Sequence, residues 1–166
     1  MSGTRGEAKT ASVVSFYGFA LAVILVDQGT KFLVLSKLPV DATLPIIPQI
    51  FHLTLVYNRG IAFGLFNQHE TLLLILITLS LLVLIILGFR IARKEASEST
   101  LGDMVPRFGL ALILGGAIGN WIDRLRYKAV IDFLDFRVWP VFNVADSAIT
   151  IGVALYLLLF LKKNKS

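Results

Sequence analysis

Cysteine is absent from this 166-residue chain, and histidine occurs only at His52 and His69. Without cysteine no disulfide, thiol nucleophile or thiolate metal site can form. Two histidines so far apart in sequence do not make a histidine-rich metal centre. Charge is scarce as well: 16% of residues are Asp, Glu, Lys or Arg, against about a quarter in soluble domains. Hydrophobic residues make up 56%, and the mean hydropathy is +0.78. That balance belongs to a polytopic membrane protein, and the length bounds it to one compact domain. The net charge of +5 is carried mostly beside apolar runs. It serves topology and contact with anionic lipid head groups rather than nucleic acid. No cleavable leader is evident either. The first apolar run, residues 11–26, leads into Asp27-Gln28-Gly29-Thr30-Lys31 rather than a small-residue cleavage site, so it reads as a retained span.

What the chain does have is long apolar runs. Spans are expected at residues 12–35, 72–89, 108–126 and 141–161. The fold class is therefore an α-helical integral membrane protein with four transmembrane helices in a single domain over residues 1–166. Residues 1–10 are polar and read as a short tail. Residues 36–70 form a small extramembrane element containing β-structure. Pro39, Pro45 and Pro48 exclude a helix there. From Phe51 to Asn58 the chain alternates, with Phe51, Leu53, Leu55 and Tyr57 on one face and His52, Thr54, Val56 and Asn58 on the other. That pattern predicts a half-buried strand with His52 on its polar face. Asn58-Arg59-Gly60 reads as a turn. The apolar piece 61–66 is too short to span and is placed at the bilayer surface or over a cavity. In the third span, Gly115 and Gly119, with Gly116 beside them, allow another helix backbone to come close. Asn120, Asp123 and Arg124 follow on one helix face.

Four spans put both termini on one side. Nine Lys and Arg residues fall on that side and seven on the other, an excess that assigns the termini to the cytoplasm. Residues 36–70 and 127–140 then share the outer face.

Four of the eleven acidic residues, Asp123, Asp132, Asp135 and Asp146, lie between Gly119 and Asp146. A carboxylate near the membrane core costs about 2.5–3.5 kcal/mol by insertion scales, and such groups usually serve a function. Asp132 follows the third span. Asp146 is placed about a turn and a half into the fourth, roughly 8 Å along it. Two carboxylates brought together in a poorly solvated place share a proton. One can then activate water while the other polarises a carbonyl, as in aspartic proteases, with no metal needed. Asn120 and Asn143 are suitable donors to orient them, and Arg124 is suited to pair with an acid or a substrate carbonyl. Asp27 and Lys31, four apart, form an ion pair that either pins the end of the first span or enters the site. Other readings stand beside this one. Asp146 near a helix start is favoured by the macrodipole. Asp132 can also be read as a solvated loop residue, and Asp135 is expected to be a solvated bystander. Intramembrane acids also mark ion-coupled carriers, and a structural or assembly protein is a further possibility.

Five motifs carry a resemblance: DQGTK at 27–31, YNRGIAFG at 57–64, GGAIGNWIDR at 115–124, VIDF at 130–133 and FNVADSAITIG at 142–152. In this order they resemble the bacterial lipoprotein signal peptidases (signal peptidase II). The resemblance implies a four-span aspartic peptidase of the bacterial inner membrane, with both termini cytoplasmic and the site near the periplasmic face. It implies a diacylglyceryl-modified prolipoprotein substrate cut on the amino side of the lipidated cysteine. It also implies contact with membrane lipids, inhibition by globomycin-type cyclic peptides, a monomeric state, and no cofactor, metal or nucleic acid. By its motifs the catalytic pair falls on Asp132 and Asp146. Substrate-binding or supporting positions fall on Asp27, Asn58, Gly60, Asn120, Asp123, Arg124, Asn143 and Ala145. The sequence departs from the family pattern in a shorter segment between VIDF and FNVAD, and in Ile61 where alanine is common. Both departures bear on the substrate entrance.

Overall fold

Helices account for most of the chain because its apolar runs leave backbone amides no partner but their own carbonyls in a bilayer. The computed structural model describes residues 2–60, 70–95 and 101–163. Four helices lie in them: α1 (Ser2–Lys37), α2 (Glu70–Glu95), α3 (Leu101–Tyr127) and α4 (Val144–Lys163). Three stretches are long and apolar enough to cross a membrane, Thr10–Lys37, Leu74–Arg93 and Val105–Tyr127, and α4 is apolar over Val144–Leu158. Leu76, Leu79, Leu82 and Ile86 of α2 point outward, as lipid-facing side chains do. The polar residues 2–10, expected as a tail, instead form the first turns of α1. The apolar piece 61–66 lies outside the described residues.

The glycines of α3 set how closely the helices pack. A Cβ at Gly115 would lie 2.6 Å from the carbonyl oxygen of Ala20 in α1, and one at Gly116 would run into that of Ala145 in α4. One turn of α3 thus meets two helix backbones at once, as small residues permit. Phe16, Ala20, Leu81, Leu110 and Leu114 fill the space between α1, α2 and α3.

Three strands sit beyond the helix ends: β1 (Thr43–Ile47), β2 (Phe51–Asn58) and β3 (Val130–Asp135). They form one antiparallel sheet in the order β1-β2-β3. The alternating segment 51–58 is the central strand, as expected. The other two were not foreseen. β1 carries Pro45, which an edge strand tolerates. β3 shows no alternation in sequence because VIDFLD is covered at nearly every position. Val34 of α1, Leu55 of β2, and Ile131 and Phe133 of β3 form a second core that fixes the sheet to the helices.

Two expectations are corrected. Asp135 is not a solvated bystander: it is 5% exposed, accepts the Thr54 hydroxyl at 2.7 Å and pairs with Arg137 at 3.0 Å. His52 faces Asp135 across the strands, and both its ring nitrogens are shielded without a hydrogen-bond partner.

Candidate active site

β3 fixes Asp132. Its register opposite Val56, with Val130 opposite Asn58, brings the Asn58 side chain alongside. Asn58 Nδ2 donates to Asp132 Oδ2 at 2.9 Å, and Asn143 Nδ2 donates to Oδ1 at 2.7 Å. Both oxygens are therefore held, and the residue is 2% exposed. Burial first, and the charge of Asp146 second, push Asp132 up to about 7, against the pull of Asn58, Asn143 and the Lys31 ammonium. Asp135, three residues on, goes the other way. Burial alone would raise it, but bonds from Thr54 and Arg137 outweigh that and hold it below its ordinary value.

The start of α4 fixes Asp146. Asn143 is the cap: its Oδ1 accepts the Asp146 amide at 2.8 Å, and its carbonyl accepts that of Ser147. An Asn in this place satisfies amides that the first helical turn leaves free. Asp146 is consequently the third residue of α4, in its first turn rather than a turn and a half inside. Asn120 Nδ2 donates to its Oδ1 at 2.7 Å. Among the described residues Oδ2 of Asp146 accepts no protein donor, and the residue is half-buried. One residue, Asn143, thus touches Asp132 with its side chain and seats Asp146 with its cap.

Beneath this pair lies a buried charge cluster. Lys31 Nζ meets Asp27 Oδ2 at 2.9 Å, Asp123 Oδ2 at 2.6 Å and Asn120 Oδ1 at 3.0 Å. Gln28 Nε2 donates to Asp123 Oδ1 at 2.9 Å. Asp27 Oδ1 accepts the Ala145 amide at 2.9 Å, a second anion on the N-terminus of α4, where negative charge is favoured. Gly119 is required here, since a Cβ would come within 2.5 Å of Asp27 Oδ2.

Arg124 approaches the site from α3. Its Nη2 donates to the Gly60 carbonyl at 3.2 Å, and Gly60 N donates to Asn58 Oδ1 at 3.1 Å, the side-chain turn expected at 58–60. Among the described residues Arg124 Nε is shielded without a partner, and the guanidinium pairs with main-chain carbonyls, not with an acid. All ten residues singled out in the sequence meet in this one network. Among the described residues no cluster of three or more metal-ligating side chains occurs.

The pattern of the Signal peptidase (SPase) II family matches residues 19–162. The chain belongs to the signal peptidase II family. Among its relatives in that family, the lipoprotein signal peptidase of Halothermothrix orenii is 42% identical over 90% of this chain and 97% of its own length. That of Nitratidesulfovibrio vulgaris is 45% identical over 83% and 84%. Two solved structures, each described as a bacterial membrane enzyme, are 29% identical to this signal peptidase II chain. Their TM-scores are 0.77, over 90% of this chain and 89% of the other, and 0.74, over 89% and 93%.

Two further members of the network belong to the DQGTK motif: Gln28, to which the sequence gives no role, and Lys31, which the sequence pairs with Asp27 but with nothing on α3. Lys31 and Gln28 lie 89 and 95 residues from their α3 partners Asn120 and Asp123. The available signal was a Lys in an apolar span, which seldom stays there unpaired.

Proposed function

We propose that this chain removes the signal peptide from diacylglyceryl-modified prolipoproteins, cutting on the amino side of the lipidated cysteine, with Asp132 and Asp146 as the catalytic pair. The observation that carries it is the single Asn143 that joins the two carboxylates, one on a strand and one at a helix start. Asp132, raised to about 7, holds the shared proton. Asp146 stays ionised with Oδ2 open. The carboxylate takes a proton from water as that water attacks the scissile carbonyl, and Asp132 donates its proton to the carbonyl oxygen; the resulting diol collapses as Asp132 takes a hydroxyl proton back, the C–N bond breaks and Asp146 passes its proton to the leaving nitrogen. Asn58 and Asn143 keep Asp132 in place, and Asn120 orients Asp146. Arg124 and the Gly60 turn flank the pair.

In this reading α4 is the fourth span, both termini are cytoplasmic, and the sheet lies on the periplasmic face of the inner membrane. The acyl chains of the substrate lie between helices and lipid, each buried methylene adding about 0.8 kcal/mol. The enzyme acts as a monomer, and a globomycin-type cyclic peptide occupies the same pocket. The test is a gel-shift assay of a diacylated prolipoprotein with the wild type, Asp132→Asn and Asp146→Asn. Both variants are expected to insert and to leave the precursor uncut. Normal turnover by either one overturns the assignment.

A further inference from the structure

Lys31 has no assigned part in the site, yet its surroundings are unusual for a cation in an apolar helix. It is 2% exposed, as buried as Asp27 at 0% and Asp123 at 1%. An ammonium has three protons to donate, and Lys31 has three acceptors, on Asp27, Asp123 and Asn120. Each acceptor leads to the catalytic pair by one further bond. Asp27 holds the amide of Ala145 at 2.9 Å, the residue immediately before Asp146. Asp123 holds the amide of Ile131 at 3.1 Å, the residue immediately before Asp132. Asn120 donates to the Asp146 carboxylate itself and accepts from Asn143 at 3.0 Å.

We propose that Lys31 is the positioning residue of the site: one ammonium fixes the backbone beneath both aspartates and supplies the positive charge that keeps one of them ionised. This rests on the assignment of Asp132 and Asp146 as the catalytic pair. The alternative of a plain ion pair pinning one helix does not account for the arrangement. Asp27 and Lys31 already satisfy that need within α1, whereas the bonds to Asp123 and Asn120 cross to α3 and run on to β3 and α4. Charge supports the same role. The carboxylates around Lys31 are Asp27 on its own helix, Asp123 on α3, Asp132 on β3 and Asp146 on α4, with Arg124 as the other cation near the pair. Lys31 also draws Asp132 downward. Removing the ammonium leaves these carboxylates less compensated, so the state with one ionised carboxyl sets in at higher pH.

The test uses Lys31→Met, Lys31→Gln and Lys31→Arg in the purified full chain in detergent, with diacylated prolipoprotein as substrate. Folding is checked by thermal unfolding, and kcat, KM and the pH profile are measured for the folded protein. The neutral variants are expected to lose about 10²-fold in kcat, the scale of a small misplacement of reacting groups. KM should stay within about two-fold, with both limbs of the pH profile displaced upward. Lys31→Arg should restore the position of the limbs. A folded neutral variant with wild-type kcat and an unmoved pH profile overturns the proposal, and leaves the catalytic pair intact if Asp132→Asn is inert in the same assay. Turnover by Asp132→Asn would instead refute the pair itself. If neither neutral variant folds while Lys31→Arg is active, Lys31 serves stability alone and the proposal also falls.

Discussion

Asp132→Asn should do two opposite things: abolish cleavage and stabilise the fold at alkaline pH. Asp132 stands at about 7 in the folded protein, against an ordinary 3.8. A carboxyl whose pKa is raised binds its proton more tightly when folded. Its contribution to stability is therefore full below pH 4 and lost as pH rises through 7. At about 1.4 kcal/mol per unit, ionising it in place costs about 4 kcal/mol, of which about 3 kcal/mol falls between pH 5 and pH 8. Asn escapes this cost. It introduces another, since Asp132 accepts from Asn58 and Asn143 with both oxygens and an amide has only one acceptor. One mismatched donor costs about 1–3 kcal/mol, but equally at both pH values. The measurement is denaturant unfolding in mixed micelles at pH 5 and pH 8 for both proteins. The difference between variant and wild type should move in the variant's favour by about 3 kcal/mol from the lower to the higher pH. Cleavage should fall by about 10²–10⁴-fold, the range for removing a general acid. Parallel stability curves for the two proteins would refute the burial-driven protonation of Asp132.

Three further outcomes are expected. Cleavage by the wild type should decline as pH rises past about 7, because Asp132 then loses the proton it donates; a rate that keeps rising to pH 9 would assign that proton elsewhere. Asn143→Ala removes the α4 cap and a donor to Asp132. It should cost about 1 kcal/mol of stability and most of the activity, measured by unfolding and gel shift. Asp135→Ala should cleave normally but lose about 1–3 kcal/mol at neutral pH. Because hydrogen bonds hold Asp135 below its ordinary value, that loss should shrink as pH falls through the acidic range, as read by unfolding at pH 7 and pH 3.

The helices and the central strand were legible because their periodicities are local. Apolar runs betray spans, and Phe51 to Asn58 alternates. β3 was hidden because its covering on both faces erases the alternation that marks a half-buried strand. β1 was hidden because its residues are exposed and include a proline. The site was legible as a set of polar residues in apolar surroundings, where each must have a partner. The burial of Asp135 is hidden for the same reason as β3: without alternation the segment has the sequence pattern of a solvated loop. Asp146 lies nearer its helix start than the sequence suggests because the apolar run begins before the helix does. Val141 and Phe142 continue the hydrophobic pattern, but Phe142 is bonded to the sheet and Asn143 is the cap.

The amide of Ala145 bonds to a side chain 118 positions earlier. The first helix therefore reserves a place that only the last helix can fill. Asp27 and Lys31 lie in the first helix and are synthesised more than a hundred residues before Asp146. Until α4 docks, the carboxylate of Asp27 lacks its helix amide and Asp132 lacks the Asn143 donor. In the proposed mechanism a chain that ends before α4 lacks Asp146 and both of these contacts, and such a fragment is expected to be inert.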